Sequence, residues 1–250
     1  MKLKLKRNQG LYQYLLSIAS DELENMIDNE FKEIFDRISV KPKSVLQNTY
    51  YEAYNRNIAD IPRGYLSKSK IRENFVRFKN NFVEHPMMAS YQAENIDGVL
   101  RIRELKVIIN DDKFKTIIID CMDVGLDVLI EWIKISIRHE VGHLIEYVSF
   151  DGMSIDEYID MRDRRNKARE EHYQKWENVT NHTSESEDSR MLEYYQLEGE
   201  AAANVNACIS TDELIALDNK MALYGKDYEI EIEINTKYTL FDDDGNVLKQ

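Results

Sequence analysis

Cysteine is scarce in this 250-residue sequence, which contains only Cys121 and Cys208. A disulfide framework or a cysteine metal site needs several cysteines at paired spacings, so we expect neither here. Each of the two cysteines lies in an apolar segment. We therefore expect two reduced core thiols in a reducing compartment.

Long apolar runs are missing as well. No stretch approaches the roughly 20 apolar residues that cross a bilayer. The segment after the basic opening MKLKLKR is too short and too polar for a signal peptide. We therefore predict no membrane span, and either a cytoplasmic location or transport within an assembly such as a virion.

Basic residues are outnumbered, with 33 Lys and Arg against 46 Asp and Glu, a net charge of −13 and a pI near 4.9. Nucleic acids and anionic membranes bind basic surfaces, so we predict neither as the main partner. Hydrophobic residues make up 43% of the chain, which is enough to bury a sizeable core.

What the sequence does contain is an H-E-x-x-H pattern, formed by His139, Glu140 and His143 within the stretch IKISIRHEVGHLIEYV. Residues four apart share a helix face, so both imidazoles can bind one metal while Glu140 reaches a water beside it. Apolar residues occupy nearly all sides of this helix, which predicts that it is buried. Without partners each buried polar group would cost roughly 2 kcal/mol or more, and a zinc ion would satisfy all three. Gly142 leaves room near the metal in this interpretation.

A third ligand is expected from the segment LEYYQLEGEAAANVNAC, in which Glu200 and Asn204 form E-x-x-A-N. The two side chains share a helical face, so Glu200 can bind the metal while Asn204 hydrogen-bonds a ligand imidazole. Glu198 is an alternative ligand, but it lacks an Asp or Asn one turn later. Glu146 is a second alternative, although it would have to lie beyond His143 on the same helix.

The two motifs together resemble those of the gluzincin zinc peptidases, in particular the ImmA/IrrE and CAAX prenyl endopeptidase families. The resemblance covers two helices and implies Zn²⁺ bound by His139, His143 and Glu200, with Glu140 as the catalytic residue and Asn204 behind the ligands. The gap between the motifs is longer than in ImmA/IrrE proteins, position 206 is Asn where those proteins carry Phe, and the membrane spans of the prenyl endopeptidases are absent.

The function this implies is a zinc metalloendopeptidase acting on a protein or peptide substrate, with Glu140 as general base. Tyr147, Tyr194 and Tyr195 are equal candidates for the donor that stabilises the transition state. The alternative is a catalytically silent zincin-like module in a phage or toxin assembly. In either case the N-terminal helices are a candidate docking surface for an assembly partner.

The predicted fold class is α+β: a mostly helical zincin-like domain with a small antiparallel sheet before the active-site helix and a C-terminal β-hairpin. We divide the chain into a helical region (residues 1–95), a catalytic core (96–225) and the hairpin (226–250). The core carries a charged insertion (151–190), interpreted either as a lid or as a tolerated surface segment.

Local patterns make several finer predictions. Ser20 and Asp21 are expected to cap a second N-terminal helix, Ser44 to begin a helix through Ala59, and a further helix to span residues 67–83. Strands are expected over residues 98–110 and 114–120 with a turn between them, and a helix over 211–224. Residues 178–189 read as a loop, His85 as a helix-end residue, and His172 and His182 as solvated.

Overall fold

Helices predominate in the computed structural model of the chain, which is an α+β fold with a small sheet. It describes residues 2–47, 85–121, 124–177, 184–224, 240–241 and 247–248. The helices are α1 (Lys2–Asn25), α2 (Lys32–Phe35), α3 (Asp111–Asp120), α4 (Leu126–Ser149), α5 (Ile155–Glu177), α6 (Ser184–Tyr195), α7 (Glu198–Asn206) and α8 (Thr211–Tyr224). A π-helical turn, Met26–Glu30, joins α1 to α2.

The main sheet has three strands: β1 (Lys43–Gln47), β2 (Met87–Ile96) and β3 (Val99–Asn110). β3 is central, with β2 antiparallel on one side and β1 parallel on the other. The sheet is therefore mixed, whereas an antiparallel sheet was predicted. β2 and β3 form a hairpin whose turn places Asp97 and Gly98 at positive φ, which the glycine adopts without strain.

The predicted strand over residues 114–120 is wrong, because this segment belongs to helix α3. The side chain of Asn110 accepts a hydrogen bond from the Lys113 amide, and Asp111 and Asp112 occupy the first turn. An Asn cap followed by acidic residues starts a helix, since it satisfies free amides and complements the helix dipole. The antiparallel partner of β3 is instead β2, a strand that was not predicted from the sequence.

Four other local predictions differ from the structure. Cys208, expected in the core, is exposed, whereas Cys121 is buried as expected. Residues 44–47 form strand β1 and not a helix beginning at Ser44. α1 runs unbroken past Ser20 and Asp21, so no second helix is capped there. Residues 184–189, expected in a loop, begin α6. The predicted helix over residues 67–83 lies outside the described residues.

Two predictions near the C-terminus agree with the structure. α8 covers the predicted residues 211–224, and the Glu213 amide donates to Ser210 Oγ at 3.5 Å, as a helix cap does. In the tail, β4 (Leu240–Phe241) pairs antiparallel with β5 (Val247–Leu248), as the hairpin prediction requires. The turn between these two strands is not among the described residues.

One hydrophobic core is shared by the helices and the sheet. Its fully buried members include Leu15 of α1, Leu105 and Val107 of β3, and Ile133 and Leu144 of α4. α4 is therefore enclosed by α1 on one side and the sheet on another, which explains why it is apolar nearly all round. Within the described part of the chain, no helix is both long and apolar enough to cross a membrane.

Candidate metal centre

Two histidines of α4 point into a cavity of about 560 Å³. His139 and His143 lie one helical turn apart, their ring centroids are 4.8 Å apart, and they are 8% and 9% exposed. The helical spacing therefore brings both imidazoles to one place at the edge of the core, as predicted.

α7 brings Glu200 to the same place. Its Oε2 atom lies 3.2 Å from His139 Nε2 and 3.3 Å from His143 Nε2, and the residue is 2% exposed. The three ligand atoms lie within 4.8 Å of one another, so this buried group could hold a metal ion.

Asn204 determines which nitrogen of His139 faces the carboxylate. Asn204 Oδ1 lies 2.7 Å from His139 Nδ1, while Asn204 Nδ2 donates to Thr211 Oγ1 at 3.1 Å. Because the amide oxygen can only accept, Nδ1 carries a proton and Nε2 is directed at Glu200. The donor set therefore fits a cation: nitrogen and oxygen atoms with lone pairs converge on one point.

In the metal-free protein, the close approach of these groups shifts their pKa values. Burial acts to lower the pKa of His139, but the hydrogen bond to Glu200 and the charge of Glu140 outweigh it and raise the pKa to about 9. Burial acts to raise the pKa of Glu200, but His143, His139 and Arg169 together hold it well below its usual value. A protonated imidazole beside an ionised carboxylate thus supplies the positive charge that a metal would otherwise bring.

Glu140 lies between this group and the sheet. The Ala89 amide of β2 donates to Glu140 Oε2 at 2.5 Å, and burial raises the pKa of this carboxyl group. The amides of alternate β2 residues point toward β3, and that of Ala89 points away from it. Among the described strands β2 is at the edge, so Glu140 contacts the outer side of the sheet.

Gly142 allows α4 and α7 to approach each other backbone to backbone. A Cβ atom added to Gly142 would lie 2.0 Å from the Ala203 carbonyl oxygen. The space beside Gly142 is therefore filled by α7. The prediction that Gly142 leaves room near the metal is wrong. Asn206 of α7 donates to the Gly142 carbonyl at 3.2 Å, which links the two helices.

The three candidate tyrosines all line the cavity but differ in their contacts. The Tyr195 hydroxyl donates to Asp218 at 3.0 Å, so its proton already has an acceptor. The Tyr147 ring stacks on His143, and the Tyr194 ring stacks on His85, with centroid distances of 6.2 and 6.4 Å. The bond to Asp218 makes Tyr195 the least suited of the three to donate a hydrogen bond to a bound ligand.

The two alternative ligands are engaged elsewhere. Glu198 pairs with Arg164 at 2.9 Å and Arg165 at 3.1 Å, and Glu146 pairs with Arg165 at 2.6 Å. Neither belongs to the group formed by the two histidines and Glu200.

Three further residues line the cavity that were not predicted as part of the site. Arg169 of α5 donates from Nη2 to Glu200 Oε1 at 2.6 Å. His172, also on α5, is 8% exposed, so the prediction that it is solvated is wrong. His85 lines the cavity next to β2, and burial lowers its pKa to about 4, which keeps it neutral. A usable signal was present: Arg165, Arg169 and His172 recur at helical spacing on one face of α5.

No protein-family model, curated protein or solved structure matches this chain.

Proposed function

We propose that this protein is a zinc-dependent metallopeptidase. One observation carries the proposal: a glutamate oxygen from one helix meets both imidazoles of an H-E-x-x-H helix, and the Glu140 of that motif lies beside them. Two His and one Glu are a ligand set of catalytic zinc, which leaves a fourth position open.

His139, His143 and Glu200 would hold the zinc ion. When bound, zinc lowers the pKa of a water to about 7 and polarises a carbonyl oxygen. Zinc is favoured over calcium or magnesium because two of the three ligand atoms are imidazole nitrogens.

Glu140 would act as the general base that takes the proton of the attacking water and then delivers it to the leaving amine. Its pKa is raised by burial, which makes the carboxylate a stronger base than an exposed glutamate. The Ala89 amide holds one of its oxygens and so fixes the direction of the carboxylate. Tyr147 or Tyr194 would donate a hydrogen bond to the developing oxyanion.

A peptide substrate would bind as an extended strand along β2. This strand is at the edge of the sheet, and Ala89 at its outer side contacts Glu140. A backbone added to a strand edge gains main-chain hydrogen bonds without regard to sequence, here with outward-facing groups of β2 other than the Ala89 amide, which holds Glu140. The scissile bond would thus lie close to both the base and the metal ligands.

The test is cleavage of a peptide library by the zinc-loaded protein and its Glu140→Gln variant. The wild type should cleave, and the variant should lose at least about a hundredfold in rate while still binding zinc. Glu170→Gln, an exposed glutamate of α5, serves as the matched control and should retain full activity. Equal cleavage by Glu140→Gln would rule out the proposed role of Glu140. Absence of cleavage by a zinc-loaded wild type would favour a silent zincin-like module.

A further inference from the structure

Arg169 contacts the proposed metal site from a segment that looks like a surface insertion in the sequence. Its guanidinium lies 2.6 Å from Glu200 Oε1, and the Glu200 side chain is only 3% exposed. An ion pair with such a buried partner is screened little by solvent, unlike a surface pair.

The two oxygens of Glu200 have separate partners. Oε2 faces His139 Nε2 and His143 Nε2, whereas Oε1 faces Arg169. A carboxylate that binds zinc through both oxygens fills two coordination positions, and one that binds through a single oxygen leaves a position open for water and substrate. A partner that holds Oε1 therefore decides whether Glu200 can bind the metal through one oxygen or through two.

α5 holds Arg169 in place on both sides. One turn earlier, Arg165 donates to Glu146 at 2.6 Å, and at the start of the helix Tyr158 and Met161 pack against the core. One turn later, His172 is buried against the cavity. The guanidinium is thus presented by an anchored helix and not by a loose side chain.

We propose that Arg169 is a positioning residue that directs Glu200 to bind the metal through Oε2 alone. It occupies Oε1 with a charge-assisted hydrogen bond, so the carboxylate cannot turn its second oxygen toward the metal. The inference rests on the metal centre of the proposed function, but it does not require peptidase activity.

The experiment compares zinc affinity and the visible spectrum of the cobalt-substituted protein for wild type, Arg169→Met, Arg169→Lys and Arg164→Met. Loss of a hydrogen-bond partner behind a metal ligand weakens binding about 10- to 100-fold, and we expect that loss for Arg169→Met. Arg169→Lys should recover part of it. Arg164 lies on the same helix and pairs only with the exposed Glu198 among the described residues, so Arg164→Met should bind zinc as the wild type does. The cobalt absorption of Arg169→Met should weaken as the second oxygen enters the coordination shell.

A double-mutant comparison separates positioning from a general structural effect. In a Glu200→Ala background, Arg169→Met should cause no further loss of zinc affinity. The same loss in both backgrounds, wild-type affinity in Arg169→Met, or an unchanged cobalt spectrum would overturn the inference. A wild type that binds no zinc would overturn both the inference and the proposed function, whereas zinc binding without cleavage would overturn the latter alone.

Discussion

The contact between α4 and α7 and the contact of α5 with the same site are built in different ways. α4 and α7 meet through backbone at Gly142 and Ala203, and the residues between them are almost completely buried. α5 reaches the site through arginine side chains, such as Arg165 and Arg169, that pair with carboxylates of the other two helices.

The kind of contact decides which parts of the site tolerate substitution. A backbone contact has no flexible end that could move, so an added atom must push the helices apart. A long ion-paired side chain can be replaced without disturbing the backbone, and the effect depends on what partner is left behind.

Removal of a ligand should have the largest consequence. His139→Ala should reduce zinc affinity by more than the roughly 10- to 100-fold expected for a residue behind the ligands. His172→Ala removes a second buried histidine of the same cavity that is not in the ligand group. Titration of both variants with zinc against a chromophoric chelator measures the difference. Equal affinities in the two variants would count against His139 as a ligand.

The backbone contact is tested by two glycines. Gly142→Ala should destabilise the fold by about 3 kcal/mol or more, because its Cβ would overlap the Ala203 carbonyl. Gly199→Ala on α7 meets no atom closer than 3.9 Å and should be neutral or stabilising by up to about 1 kcal/mol. Urea unfolding of both variants gives the comparison. Equal stability would mean that α4 and α7 do not approach this closely.

Because His139 binds a proton tightly in the metal-free protein, we expect an unusual pH dependence of its stability. The pKa of His139 is raised from 6.5 to about 9, so the stabilisation by its protonated ring is complete below pH 6.5 and is lost as the pH rises through 9. The unfolding temperature of the metal-free protein should fall over this range. The fall should be smaller in His139→Ala, and zinc affinity should rise with pH because binding displaces the proton. An unfolding temperature that rises between pH 6.5 and 9 would contradict this assignment.

The smallest effects on stability are expected when either of two adjacent arginines of α5 is replaced by alanine. Arg164→Ala removes only an exposed pair with Glu198, and no measurable change in stability is expected. Arg165→Ala also removes the partner of Glu146, a carboxylate that is 8% exposed, and should cost about 1–3 kcal/mol. Thermal unfolding of the two variants decides whether burial of the partner sets the effect, and equal losses would show that it does not.

Much of the site could be predicted from sequence because its spacing is local. His139 and His143 are four apart, as are Glu200 and Asn204, and the structure brings the two pairs together across α4 and α7. For Arg169 the spacing gives only part of the answer, because the recurrence of Arg165, Arg169 and His172 marks one face of α5 without saying what that face contacts. The role of Arg169 depends on α5 folding back over the site, and no spacing within α5 identifies Glu200 as its partner.

The errors in the fold have local physical causes. The segment after Asn110 is rich in isoleucine, which favours strands, yet an asparagine cap and two aspartates in the first turn start helix α3. β1 is short and pairs with the distant β3, its one partner among the described strands, so its strand character comes from a tertiary contact. The apolar pattern of β2 is interrupted by polar residues, and the register shift at Gln92 and Ala93 further obscures its alternation.

The most direct test is a crystal structure of the zinc-loaded protein with anomalous data at the zinc edge. One zinc peak should lie about 2.0–2.2 Å from His139 Nε2, His143 Nε2 and a single oxygen of Glu200. Zinc bound elsewhere, or a Glu200 carboxylate outside bonding distance of the metal, would contradict the account.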